Sequence, residues 1–464
     1  MINPFRLSKR SGSSEVNALT NDRIAGMLGF TIIWVGQMLS LMGTTMTGFA
    51  LTIWAWEKTG QAAVLALVGF ANFAPVVLFS PIAGAIVDRY DRKKVMMLAD
   101  LAAGLPTVGL LLLFATNNLQ IWHLLTTGAI SGAFQSFHFP AYSAAVTMMV
   151  RKEQYGRAQA MLAVAEFASG IFAPIVAAML LVYIGIGGVI SIDVITFTTA
   201  IVMLFFVRVP RPPVTEAGRR GMGSIWKESF YGFRYIYGRR SLLGLQLVFL
   251  FNNFLSSFSY TLFAPMILAR TGNDTLVLGS VMSAGGVGGL LGSIALTVWG
   301  GPKRRIHGVL LGFISMGVLN GTMGLFAAPF AWAAIMFMLM LVSPLINTSN
   351  QAIWQAKVEP DVQGRVFSTR RLIAQVSAPP AMLIAGFLAD NVFEPGMKVG
   401  GSLVETLGWL VGTGSGAGIA LLILTTGMLS AVLTLGVYGI RAVRDVEIIL
   451  PDHDVRAQST LETP

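Results

Sequence analysis

Twelve runs of mostly apolar residues follow one another along this chain, and they leave few other fates open to it. A helix crossing the ~30 Å hydrocarbon core of a bilayer needs about 20 such residues. The runs lie at 27–54, 62–87, 95–115, 120–149, 158–183, 186–207, 242–269, 276–299, 307–327, 330–354, 366–390 and 414–440, and each is predicted as a transmembrane helix. Only 12% of the 464 residues are charged and 54% are hydrophobic, with a mean hydropathy of +0.70. Soluble domains carry about twice that share of charge, so a soluble enzyme, a disordered chain and a nucleic-acid binder are all excluded, despite a net charge of +10. Cysteine is absent and the four histidines form no metal-binding pattern, so no disulfide, metal or other cofactor is expected.

Loop charge sets the expected orientation. Lys and Arg gather on the cytoplasmic side of membrane proteins, and 29 of the 32 fall in the N-terminal tail and in every second connection, the one before span eleven counted from Lys357 to Arg371. The other connections hold only Lys58, Arg270 and Lys398. This alternation fits an even number of spans with both termini cytoplasmic, in the inner (plasma) membrane. The first residues, with Arg6, Lys9, Arg10 and Arg23 but no apolar core, read as a polar tail and not as a cleaved signal peptide.

The longest basic connection splits the spans six and six. The expected organisation is a tail at 1–26, a six-helix bundle at 27–207, a linker at 208–241, a second bundle at 242–440 and a cytoplasmic tail at 441–464. From Ser224 the linker repeats Ile225, Trp226, Phe230, Phe233 and Tyr237 at helical spacing beside Lys227, Arg234, Arg239 and Arg240, as a basic helix on an anionic leaflet would. The halves share a faint repeat, V-x-x-acid-x-x-G-R, at Val150–Arg157 and Val358–Arg365, offset by 208 residues. Parallel duplication of this kind is a transporter trait. The expected fold is all-α: two six-helix bundles round a central cavity.

The loop Gly84-Ala-Ile-Val-Asp88-Arg89-Tyr90-Asp91-Arg92-Lys93-Lys94 resembles the G-x-x-x-D-R-x-G-R-[RK] loop between spans two and three of the major facilitator superfamily, with Asp91 in place of the second glycine. The matching loop after span eight, Gly300 to Arg305, lacks the acid. Trp34-Val-Gly-Gln37, Trp54 to Gly60, Phe137 to Ala141 and Gln363 to Phe367 are similar to macrolide-efflux-like and siderophore-export-like carriers. The glycine-rich element that antiporters of the family carry in span five is reduced here to Ala173-Pro174-Ile-Val-Ala-Ala178. The resemblance implies that spans one, four, seven and ten line the cavity, and that Asp88 meets the N-terminal end of span eleven in a cytoplasmic gate. Gly84, Asp88, Arg89, Asp91, Arg92 and Lys93 are the gate residues so implied. Simple positive-inside anchoring accounts for the basic ones but not for the acid among them.

No phosphate-binding G-x-x-x-x-G-K-[ST] loop occurs, so work is expected from a gradient. Ionisable groups inside a bilayer are costly and therefore functional candidates. Glu166, nine residues past Arg157, lies about 13 Å into span five and is the leading proton-coupling group; a permanently protonated, hydrogen-bonded acid is the alternative. Asp193 fits a packing role near the outer end of span six, and Asp100 a pairing with the basic loop before span three, with coupling as their second role. The polar residues of the lining spans, Gln37, Thr44, Gln135, His138, Tyr142, Asn252, Asn253, Tyr260, Asn347, Asn350 and Trp354, suggest an amphipathic cavity with no cation in those spans. His138 suits packing or the cavity wall, with proton relay second.

The expectation is a monomeric proton-driven antiporter, not an enzyme, exporting a largely apolar small molecule such as a drug, a macrolide-like compound or a siderophore. Its partners are substrate, protons and membrane lipids, with no nucleic acid. A lipid or lysolipid transporter, or a transport-inactive sensor or scaffold, are the alternatives. The long outer connection Asn391 to Gly412 fits either a lid or an interfacial helix.

Overall fold

A backbone in hydrocarbon has no water to bond, and the helix is the one element that satisfies its own N–H and C=O groups alone. The computed structural model describes residues 26–151, 154–207, 209, 232–359 and 362–452, and it has a helix at each of the twelve expected places. Spans one to four are Met27–Thr59, Ala62–Arg89, Arg92–Ala115 and Ile121–Met149. Spans five and six form one run, Tyr155–Phe206, that turns at Gly185. Spans seven to ten are Arg240–Thr271, Thr275–Trp299, Arg305–Leu325 and Pro329–Lys357, and span twelve is Ala417–Tyr438. Ten stretches among the described residues are long and apolar enough to cross a membrane. The run through Gly185 counts once among them, and span four, with Gln135 and two histidines, falls outside the set.

Span eleven is broken, for a local reason. Pro379 and Pro380 have no N–H for the carbonyls four residues back, and the span divides into Gln363–Gln375 and Ala378–Leu388, followed by a π turn, Ala389–Phe393, and a last turn, Glu394–Met397. Gln363 stands 208 residues after Tyr155, so spans five and eleven start in the register of the sequence repeat. The outer connection holds a short helix, Val404–Val411, whose Trp409 is exposed, as an interfacial helix requires.

Packing repeats as well. Span two lies along four and three along four; span eight lies along ten and nine along ten. The two bundles meet along two seams, spans two with eleven and five with eight. In the second seam, a methyl group on Gly286 would stand 2.8 Å from the Gly170 carbonyl, and one on Gly279 would stand 2.8 Å from that of Pro174. Small residues let helix backbones approach this closely where no hydrophobic effect drives them together.

Most of the predicted linker helix lies outside the described residues. Its end does not simply rest on lipid: Tyr235 and Ile236 are buried in the core of the second bundle, while Phe233 and Tyr237 are exposed. The Tyr235 hydroxyl donates to Glu359 at 2.6 Å, and the Arg239 guanidinium lies 3.5 Å over the Tyr235 ring.

Gly185 makes the corner between spans five and six with φ 64° and ψ −176°, a region that is open in practice to glycine alone. Gly185→Ala is expected to cost about 1–3 kcal/mol and to lower the melting temperature of the purified protein in detergent. Gly109→Ala, where a methyl group would meet nothing within 4 Å, should leave it unchanged or slightly raised.

Candidate functional site

The shape of the core defines the site. At the end away from the termini, one apolar cluster joins both bundles: Trp54, Trp56, Ala173 and Ala177 from the first pack with Met266, Leu278, Ala385 and Ile423 from the second. At the end that carries the basic loops the described residues form two separate cores. Phe30, Met96, Val146 and Leu204 belong to a cluster of the first bundle alone, and Leu245, Val309, Ile353 and Val446 to one of the second. Among the described residues, the halves therefore share one apolar core at the far end and have separate cores toward the basic end.

Two polar contacts cross the far seal. The Asp390 carboxylate accepts the N–H groups of Ala62 and Ala63 at 3.0 and 2.7 Å, so an acid of span eleven caps the N-terminus of span two. The Trp56 indole donates to Asn273 Oδ1, in the turn after span seven, at 2.8 Å.

Span five shows the parting on one helix face. Glu166, Ala173 and Ala177 share a face at positions i, i+7 and i+11. The two alanines are fully buried, whereas Glu166, toward the basic end, is exposed and has no hydrogen-bond partner among the described residues. Val164, Phe172, Met179 and Val182 are exposed on the opposite, lipid-facing side. Glu166 thus lies on the wall of the gap between the bundles and not, as the sequence suggests, buried among neighbouring helices.

The other two acids are held. Asp193 is buried between spans one and six, where Thr44 donates to its Oδ1 at 3.2 Å. Asp100 does not pair with the basic loop. Six residues past Lys94 is about 240° round the helix, which turns Asp100 inward, while the Lys93 ammonium donates to the carbonyls of Phe205 and Val207 at the end of span six. Asp100 Oδ2 accepts from Gln37 at 2.9 Å and Oδ1 lies 3.0 Å from His138 Nε2. Tyr142, buried, sets its ring 6.0 Å from that of His138. Spans one, three and four thus bring Gln37, Asp100, His138 and Tyr142 together, a cluster whose members were singled out separately.

The remaining cavity candidates separate. Gln135, Tyr260 and Asn347 are exposed. Asn252 is buried against span twelve, donating to Thr434 at 3.0 Å and accepting from Ser430 at 2.6 Å, which makes it a packing residue and removes it from the wall. Asn253 donates to the Ala374 carbonyl of span eleven at 2.9 Å. Asn350 and Trp354 are buried near the basic end of span ten. Sequence reasoning missed Arg370, which it counted with the basic loop although it stands inside span eleven.

A helical arrangement of two like bundles packed in the same way is the architecture of one large carrier group, and the sequence agrees. The model of the Major Facilitator Superfamily matches residues 33–382. The chain belongs to that superfamily. It is 28% identical over 368 residues to the macrolide efflux protein A of Streptococcus pyogenes, covering 79% of this chain and 90% of that one. It is 23% identical over 384 residues to the multidrug efflux pump Tap of Mycolicibacterium fortuitum, covering 76% and 90%. A bacterial homologue of the lysosomal transporter Spinster, solved inward-facing and unoccupied, shares the fold at TM-score 0.65 with 14% identity, over 89% of this chain and 97% of that one. The expected macrolide-efflux-like kinship is borne out, and the protein is a multi-pass membrane transporter.

In the superfamily's loop, the side chains of Gly84, Asp88 and Arg89 lie outside the described residues. Asp91, the departure from glycine, takes φ −62° and needs no glycine; its Oδ1 caps span three by accepting the Lys93 and Lys94 N–H groups at 3.1 and 3.4 Å. Arg92 opens that helix. In the second bundle the acid missing from the matching loop comes from the C-terminal segment. Glu447 accepts the N–H groups of Arg305 and Ile306 at the start of span nine, Arg304 pairs with Asp445 at 2.8 Å, and Lys357, buried, donates to Asp452 at 2.7 Å and to two backbone carbonyls.

Hydrogen bonds from Arg304 and Arg444 hold the Asp445 carboxyl below the usual carboxylate range. A depressed folded-state pKa stabilises the docked segment above the unfolded value of about 3.9 and is lost only as pH falls through the folded one. With a fluorophore on Ile449→Cys in this cysteine-free chain, the segment should stay docked from pH 8 to 5 and loosen only below about pH 4. Asp445→Asn should loosen it at every pH.

Proposed function

We propose that the basic end faces the cytoplasm and that this carrier exports largely apolar, amphipathic small molecules, macrolide-like compounds among them, in exchange for protons by alternating access. The observation that supports this best is the asymmetry of the core among the described residues, joined at the far end and divided at the basic end, with the carboxylate of Glu166, unpaired among those residues, exposed beside the division. In this reading the structure is the inward-open state. Glu166 gives its proton to cytoplasmic water there, keeps the electron pair as carboxylate, and attracts the amine of an entering amphiphile. The outward-open state returns a proton to it as the substrate leaves. The Asp100–His138 pair, with Gln37 bonded to the carboxylate, is the second candidate for coupling.

The seam of spans two and eleven supplies the two-state element. Asp390, near the C-terminal end of span eleven, caps the N-terminus of span two at the outer end. By the family pattern, Asp88, at the C-terminal end of span two, caps the N-terminus of span eleven when the carrier faces outward. The two helices are antiparallel, so each offers an acid to its partner's positive end, and the two latches alternate.

Cells making the wild type should expel erythromycin or a cationic dye in a manner abolished by a protonophore, and Glu166→Gln should cut that extrusion at least tenfold. Extrusion indifferent to both sinks proton exchange through Glu166; lysolipid uptake in its place moves the assignment to lipids. For the outer latch, losing a charged cap worth about 0.5–2 kcal/mol shifts a two-state balance roughly two- to thirtyfold. Asp390→Asn should enlarge the long-distance population between spin labels on Gln61→Cys and Asn391→Cys. An unaltered distribution would show that the latch does not hold the outer end.

A further inference from the structure

Arg370, a half-buried charged side chain inside span eleven, has no role so far. Arg370 lies seven residues past Gln363, about 10 Å of rise into span eleven. A guanidinium stays protonated at any working pH, and a cation at this depth is costly unless its donors are met. Its own are met only in part. Nη2 donates to Gln351 Oε1 of span ten at 2.6 Å, and the group lies over two rings, Phe367 at 5.2 Å and Trp354 at 5.5 Å from their centroids. Nη1 is buried and has no hydrogen-bond partner among the described residues. The indole N–H of the fully buried Trp354 is likewise unpaired. Among the described residues, no carboxylate pairs with Arg370.

The place is built to stay put. The Arg370 carbonyl accepts from Gln246 of span seven at 2.9 Å, and the Ala374 carbonyl, one turn on, from Asn253 at 2.9 Å. Together these fix the first segment of the broken span against span seven, with the guanidinium reaching across to span ten. A packing arginine would be expected to have its fork filled by carbonyls or an acid. Here a fork edge and an indole N–H, two buried donors, are left beside two aromatic faces. A planar fork matches the two oxygens of a carboxylate, and the rings suit an apolar, ring-bearing body.

We propose that Arg370, Trp354 and Gln351 form an oxyanion subsite between spans ten and eleven, its donors covered in this state, which takes the carboxylate of an amphipathic, ring-bearing substrate. This rests on the export function proposed above and narrows its substrate class. The cavity is then dipolar: Glu166 on span five and Arg370 on span eleven, the two spans that the repeat relates, offer opposite charges. A compound with a cationic group at one end and a carboxylate at the other satisfies both.

Rhodamine B and its ethyl ester separate the carboxylate from everything else, since they share one cationic ring system. Binding to the purified full-length protein in nanodiscs, with no gradient present, does not depend on proton coupling. A charge-assisted hydrogen bond is worth roughly tenfold or more in affinity, so the unaltered protein should bind the acid at least tenfold more tightly than the ester. Arg370→Gln should abolish that preference and leave the ester within twofold, Arg370→Lys should keep part of it, and Trp354→Phe, which retains a ring but not the N–H, should weaken the acid alone by a few-fold. Equal binding of acid and ester by the unaltered protein overturns the subsite even if Arg370→Gln fails to fold, as does an Arg370→Gln protein that loses both dyes equally. Binding of neither dye overturns the subsite together with the broad amphipathic cavity.

Discussion

The far seal is the contact on which the rest of the molecule depends. Two bundles that part at one end are held by what joins them at the other, and in lipid that joint gains little from the hydrophobic effect, because hydrocarbon surrounds the helices in any case. What remains is close packing and a few polar bonds in a water-poor place. The seal uses both: Ala173, Ala177 and Ala385 are fully buried between helices, and Gly279 and Gly286 admit the backbone of span five. Over this, one carboxylate, Asp390, takes two peptide N–H groups that no helix can satisfy internally. A seal of this kind is tight when closed and holds no large reserve of energy against opening, as a moving joint requires.

Much of this was legible in the sequence, because the bilayer makes local demands. Twenty apolar residues in a row have one good conformation in lipid, so the twelve spans and their ends followed from composition and loop charge. Asp91 was harder: it stood out only as a replaced glycine, whereas a residue with extended backbone angles before a helix is an N-cap. The capping of span nine by Glu447 could not be read at all, since the acid is 142 residues from the N–H it serves and no spacing rule spans such a distance. Asp100 shows the limit from another side. Its depth was right, but depth says nothing of azimuth, and the turn of the helix gave it to His138 and Gln37 instead of the basic loop. Arg370 was lost in a loop count, because a positive residue near a basic loop is what orientation leads one to expect.

The acids of the first bundle divide by what a proton would change. Protonating Asp193 would weaken a bond between spans one and six inside one rigid bundle, and protonating Asp100 would loosen a contact among spans one, three and four of the same bundle. Neither contact crosses to the other half. Glu166 has no bond to break, so its charge acts only on what enters the gap. A field in a narrow, low-dielectric gap is long-ranged, since a charge there is poorly screened compared with one in water. The group that best senses substrate is therefore the one with no partner of its own, while the paired acids are suited to tying protonation to the shape of their bundle. In the proposed exchange, that separation lets substrate binding and bundle shape be tuned at different residues, and the burden falls on the face of span five where buried alanine gives way to exposed glutamate.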